Sequence, residues 1–115
     1  MTVTIWHNPR CATSRKVLDL IRAAGVEPNI IDYVQTPPGV AAIRAALKAL
    51  AMKPRDLLRR RGTPYDELGL DDAKLTDAAL VEAMHAHPVL IERPVVLSAK
   101  GARLCRPAER VKEII

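Results

Sequence analysis

The chain has 115 residues, 49% of them hydrophobic and 3% aromatic, with 18 Lys and Arg against 13 Asp and Glu for a net charge of +5. That length suits a single domain, residues 1–115, and the absence of Phe makes its core aliphatic. No apolar run is long enough to span a bilayer, no basic-then-apolar leader opens the chain, and two cysteines do not make a disulfide scaffold, so a cytoplasmic location is expected. The basic excess suits an anionic partner, but Trp6, Tyr33 and Tyr65 are too few for base stacking; neither nucleic acid nor a membrane is expected.

In chain order, Val3 to Trp6 reads as a short buried strand, followed by a turn of breakers and polar groups, His7-Asn8-Pro9-Arg10. Thr13 to Ala24 has the spacing of an amphipathic helix, with Val17, Leu18, Ile21 and Ala24 on one face and Gly25 as its C′ residue. Asn29 to Val34 reads as a second strand. Strand, helix, strand with short connections implies a βαβ unit and parallel pairing. Thr36-Pro37-Pro38 breaks the chain before a helix from Gly39 to Leu50, whose buried stripe is Val40, Ile43, Leu47 and Leu50.

Arg55 to Arg61 reads as a short helix or turn after Pro54, and Gly62 to Asp72 as a loop. Thr76-Asp77 can cap a helix running to Ala86, with Leu80, Val81 and Met84 inward. Pro94 to Leu97 and Ala102 to Leu104 are strands joined by a hairpin turn at Ala99-Lys100-Gly101, and Pro107 opens a final helix ending at Ile115. The expected fold is α/β and thioredoxin-like: a mixed four-stranded sheet flanked by helices, with a helical insertion between strands two and three.

Cys11 is the residue with the clearest chemistry. A cysteine between a strand and a helix has its sulfur near unpaired backbone N–H groups and the positive end of the helix dipole, which favour the thiolate. Ala12, Thr13 and Ser14 follow, so the motif is Cys-x-x-Ser and no disulfide forms across the turn. His7 acts across the turn by electrostatics or hydrogen bonding. Ser14 can donate to a sulfur or an oxyanion. Arg15 is a cation at a helix N-terminus, unfavourable for the dipole but able to lower a thiol pKa. Cys105 reads as a small buried hydrophobe. His85 and His87 precede Pro88 at a helix end and lack the ligand spacing of a zinc site; no metal is expected.

The run from His7 through Cys11 to Arg15 resembles the active-site turn of the glutaredoxin-coupled arsenate reductase family. The resemblance continues through Thr36-Pro37-Pro38, Leu57-Leu58-Arg59, Pro64 to Leu70, His87-Pro88, Arg93-Pro94 and Leu104-Cys105-Arg106-Pro107. It implies that Cys11 is the nucleophile, that Arg59, Arg93 and Arg106 hold the oxyanion, and that His7, Ser14 and Arg15 support them. It also implies a reaction: reduction of arsenate to arsenite through a cysteine–arsenate adduct, with glutathione as co-substrate, glutaredoxin as partner and no bound cofactor. In thioredoxin-like folds the proline in the place of Pro94 is typically cis and faces the active-site cysteine, so the resemblance places Arg93 near Cys11. One departure is Ala12, where many members carry Gly, so a methyl is expected to narrow the oxyanion pocket. For Arg59 the residues alone leave the choice open, because Arg59-Arg60-Arg61 also reads as a solvated face.

Two other readings share the fold. One is a redox or transcription regulator of the Spx type, which often carries the Cys-x-x-Cys that is missing here. The other is a general glutathione-dependent thiol oxidoreductase acting on a small disulfide.

Overall fold

Thr4–His7 forms β1, with three of its four residues buried. It pairs parallel with β2, Asn29–Asp32, in the register Ile5 with Ile30. On its other side it pairs antiparallel with β3, Val95–Ser98, in the register Ile5 with Val96. A hairpin joins β3 to β4, Gly101–Leu104, where Gly101 has φ +130°, a conformation that side-chain-bearing residues rarely adopt. The sheet order is β2-β1-β3-β4, so the central strands are the parallel-paired β1 and its antiparallel neighbour β3. The computed structural model describes residues 2–115.

The described chain falls into two compact units. One is formed by the chain up to Thr36 and from Arg93 onward, the other by Pro37–Glu92. The first contains the sheet and α1, Ala12–Ala23. Val17, Leu18 and Ile21 of α1 pack with Val3, Ile5, Val96, Cys105, Ala108, Val111 and Ile114 in one aliphatic core. The helix ends in a Schellman motif: Gly25 N–H donates to the Arg22 carbonyl at 2.9 Å and Val26 N–H to the Ile21 carbonyl at 3.3 Å. Gly25 supplies the φ of +82° that this closure needs, and Val26 packs against the core.

Two sequence expectations in this unit are corrected. The second strand stops at Asp32 instead of Val34, because Asp32 Oδ1 accepts from the Val34 and Gln35 amides and offers the backbone a turn in place of a ladder. The last helix is a 3-10 helix over Ala108–Glu113, with Pro107 as its N-cap. Its buried residues Ala108 and Val111, and the buried Ile114 at its C-cap, recur every third position, which a helix of three residues per turn places on one face.

The second unit carries the inserted helices α2, Val40–Leu50, α3, Pro54–Leu57, and α4, Asp77–Ala86. Its interior is again aliphatic, with Ile43, Leu47, Leu57, Leu80, Val81, Met84, Leu90 and Ile91 buried. Thr76 Oγ1 caps α4 by accepting from the Ala79 amide at 3.1 Å. No helix among the described residues is long and apolar enough to cross a membrane.

Candidate active site

The sheet brings three chain positions to one end. His7 closes β1, Arg93 precedes β3 and Arg106 follows β4, and the register of Trp6 with Val95 and of Val95 with Leu104 aligns them. Both arginines stand before a cis-proline, at Arg93–Pro94 and Arg106–Pro107. The turn after β1 is tied by its own atoms. Cys11 N–H donates to the Asn8 carbonyl at 3.0 Å, and Asn8 Oδ1 accepts from the Arg10 amide at 3.0 Å. This fixes Cys11 as the N-cap of α1, with extended backbone angles of φ −92° and ψ 120°.

At that position the sulfur occupies the place that a capping oxygen usually takes. Partial burial raises the Cys11 thiol pKa, but other groups outweigh it. They are the Ser14 backbone N–H, a hydrogen bond from the Arg93 side chain, the Thr13 backbone N–H and the Arg93 charge, and the net shift is downward. Arg106 Nη1 lies 4.0 Å from Cys11 Sγ and also donates to the Arg93 carbonyl at 3.1 Å, so Arg106 is bound to the segment that carries Arg93. An N-terminal helix turn and two guanidinium groups around one sulfur stabilise a thiolate and supply donors for an anion beside it.

The supporting residues bind within the turn. The Ser14 hydroxyl is fully buried; it lies 2.7 Å from His7 Nδ1 and accepts from the Asn8 amide at 3.1 Å. Its backbone amide is the group that serves Cys11. His7 is buried, and burial is the main reason its pKa is lowered; Asp32 opposes this, and Arg15 and Arg22 add to it. The His7 ring is bound to Ser14 across the turn. Arg15 Nη1 donates to the Pro9 carbonyl at 2.8 Å and so ties α1 to the turn. Ala12 is exposed, and its backbone does not take a positive φ, so this turn does not require glycine there.

Arg59 belongs to the second unit. It is partly buried, Nη1 donates to Glu92 Oε1 at 2.9 Å and Nε to the Arg61 carbonyl at 3.0 Å. Its neighbours Arg60 and Arg61 are exposed, and Arg60 stacks over the Tyr65 ring, so the run is not uniformly a solvated face. Asn8 is the residue that sequence reasoning left without a role. It is buried and three of its polar groups hold the turn; its place before Pro9, where short polar side chains favour turns, was the available signal.

Cys105 differs from Cys11 in every respect that governs reactivity. It has no exposed surface, and burial pushes its thiol up to about 12. Alkylation of the native protein is therefore expected to modify Cys11 alone, with a midpoint below the ~8.5 of a free thiol. A pH series of iodoacetamide rates with peptide mapping checks this; a midpoint at or above that value, or equal labelling of Cys105, would refute the account of the turn.

A thiol at the N-cap of the first helix of this mixed sheet, with arginines beside it, defines the class: a thioredoxin-like protein with a cysteine at the start of its first helix. The ArsC family model matches residues 6–114. The chain is 48% identical to a protein named arsenate reductase from Rhizobium meliloti (strain 1021), across 100% of this chain and 82% of that relative. It is 47% identical to one of the same name from Escherichia coli (strain K12), across 98% of this chain and 80% of the relative. Among solved structures, an arsenate reductase from Vibrio cholerae superposes with a TM-score of 0.96 at 41% identity, covering 100% of this chain and 98% of that one. The chain belongs to the ArsC family.

Proposed function

We propose that this protein reduces arsenate to arsenite, with Cys11 as the nucleophile, Arg93 and Arg106 as the oxyanion clamp, and glutathione and glutaredoxin as the outside thiols. The observation that carries the reading is the surroundings of Cys11 Sγ: helix amides and Arg93 lower its pKa, and Arg106 lies beside it. Arsenate is a tetrahedral anion, so an anionic sulfur approaches it only when its charge is offset. Guanidinium forks do this while binding two oxygens at once.

The electrons decide how many thiols are needed. Cys11 sulfur displaces one oxygen of arsenate, which leaves as water, and forms a sulfur–arsenic bond while arsenic stays As(V). Glutathione displaces a second oxygen in the same way. A glutaredoxin thiol then takes the glutathione sulfur as a mixed disulfide, and the bonding pair remains on arsenic as As(III). Water releases arsenite and restores the Cys11 thiol. Within the chain the one other cysteine is Cys105, which is buried with a strongly raised pKa, so the further sulfurs come from outside. His7, Ser14, Asn8 and Arg15 keep the turn in shape through this cycle.

The test is arsenate-dependent NADPH oxidation coupled through glutathione reductase, with glutathione and glutaredoxin each omitted in turn. Turnover requiring arsenate and both thiol sources is expected. Turnover with a small disulfide and no dependence on arsenate would favour the general oxidoreductase. Absence of any turnover, with binding to RNA polymerase, would favour the regulator.

A further inference from the structure

The first unit contains a cleft whose lining the chemistry above uses only at one end. It is open to solvent, measures about 410 Å³ and is lined by Thr13, Lys16, Arg106, Pro107, Ala108 and Glu109. That volume is ordinary for a small-molecule site. Arg106 belongs both to this lining and to the surroundings of Cys11 Sγ, so one end of the cleft lies at the sulfur. Farther out, Lys16 Nζ donates to Glu109 Oε1 at 2.8 Å, with both side chains more than half exposed. An exposed pair of this kind holds weakly and is screened by salt, so a ligand bearing both charges can replace each partner for the other.

We propose that this cleft seats the thiol co-substrate as a small zwitterionic cysteinyl peptide of the glutathione class, its carboxylate on Lys16 and its ammonium on Glu109. The thiol of such a peptide then points past Arg106 toward Cys11. The lining fits this class better than a simple thiol or a simple anion. Its exposed pair, Lys16 and Glu109, matches one carboxylate and the ammonium of glutathione, while Arg106 stays with the oxyanion. A ligand of a single sign would leave one of these groups facing a like charge. Thr13 and Ala108 keep the wall between them small, and Pro107 adds an apolar ring to it. The inference rests on the reading of Cys11 as a thiol-coupled nucleophile and adds where the second sulfur comes from.

Two measurements test it. In the first, isotope-labelled Cys11→Ser protein is titrated with S-methylglutathione, which binds without reacting; amide resonances of Thr13, Lys16, Ala108 and Glu109 are expected to shift. In the second, Lys16→Ala and Glu109→Gln are each expected to raise the KM for glutathione about tenfold, the effect of one lost charge-assisted hydrogen bond. The KM for arsenate and the Cys11 alkylation profile are expected to stay at wild-type values, and Lys16→Arg to recover most of the loss. With 2-mercaptoethanol as reductant the two variants are expected to match wild type, because that thiol carries neither charge. Unshifted amides with a wild-type KM in both variants, or an equal loss with both thiols, would overturn the cleft and leave the arsenate reading standing. Shifts at these residues in a protein without arsenate turnover would keep the cleft and overturn that reading.

Discussion

Cys11→Ser is expected to lower kcat/KM for arsenate on the order of a thousandfold or more, because a serine hydroxyl stays protonated where the Cys11 thiol ionises. The fold is expected to survive, since serine is itself a preferred N-cap and replaces sulfur where α1 begins. The measurement is the coupled assay beside a urea unfolding curve for both proteins. Retained turnover with the serine variant would remove Cys11 from the chemistry. Lost turnover together with a lowered unfolding midpoint would assign the residue a structural role.

Arg93→Ala carries the second largest expected effect, and it has two readouts. Arg93 contributes both a hydrogen bond and a charge to the Cys11 thiolate. Without it the folded protein holds the thiolate less well, so the Cys11 pKa rises and the alkylation midpoint moves to higher pH. The pH dependence of arsenate turnover moves in the same direction. In addition, kcat/KM at neutral pH is expected to fall about tenfold to a hundredfold, from the lost donor and the smaller thiolate fraction together. Arg93→Lys retains the charge but not the fork. It is expected to keep most of the pKa shift while still weakening arsenate binding, which separates the two contributions. An unchanged titration in Arg93→Ala would mean that the helix amides alone set the thiol.

The local part of this site was readable in the residues. Cys11 stands between a strand with buried apolar residues and an amphipathic helix, and that placement alone puts its sulfur at unpaired amides. Gly25 and Thr76 marked helix ends where the structure has them, and the Ala99-Lys100-Gly101 turn marked the hairpin. The pieces that were not readable depend on groups competing for the same partners. Ser14 offers both a hydroxyl and an amide to its surroundings. The structure sends the hydroxyl to His7 and the amide to the sulfur, a division no spacing rule contains. Asp32 ends β2 by a side-chain oxygen that competes with the ladder. The three-residue spacing of Ala108, Val111 and Ile114 suits either an α or a 3-10 helix over so short a stretch, and the observed one has three residues per turn.

Distance along the chain set the other limit. Arg93 and Arg106 are ordinary surface-type residues in sequence, and only the β3–β4 hairpin, with β1 beside it, gathers them at the end where Cys11 sits. Each is followed by proline, as no other arginine of the chain is, but that pattern assigns no role; the family resemblance singled them out before the sheet register gave a physical reason. Arg59 shows the same limit within its own run. Its partly buried ion pair with Glu92 sets it apart from Arg60 and Arg61, and that pairing spans 33 positions of sequence.

The most direct measurement of the central claim is the balance between arsenite released and NADPH oxidised by the wild-type protein, with glutathione and glutaredoxin present. Two electrons reduce As(V) to As(III) and two leave each NADPH, so equal amounts are predicted, with neither product formed by Cys11→Ser. NADPH oxidation without arsenite, or arsenite formed at the wild-type rate by Cys11→Ser, would contradict it.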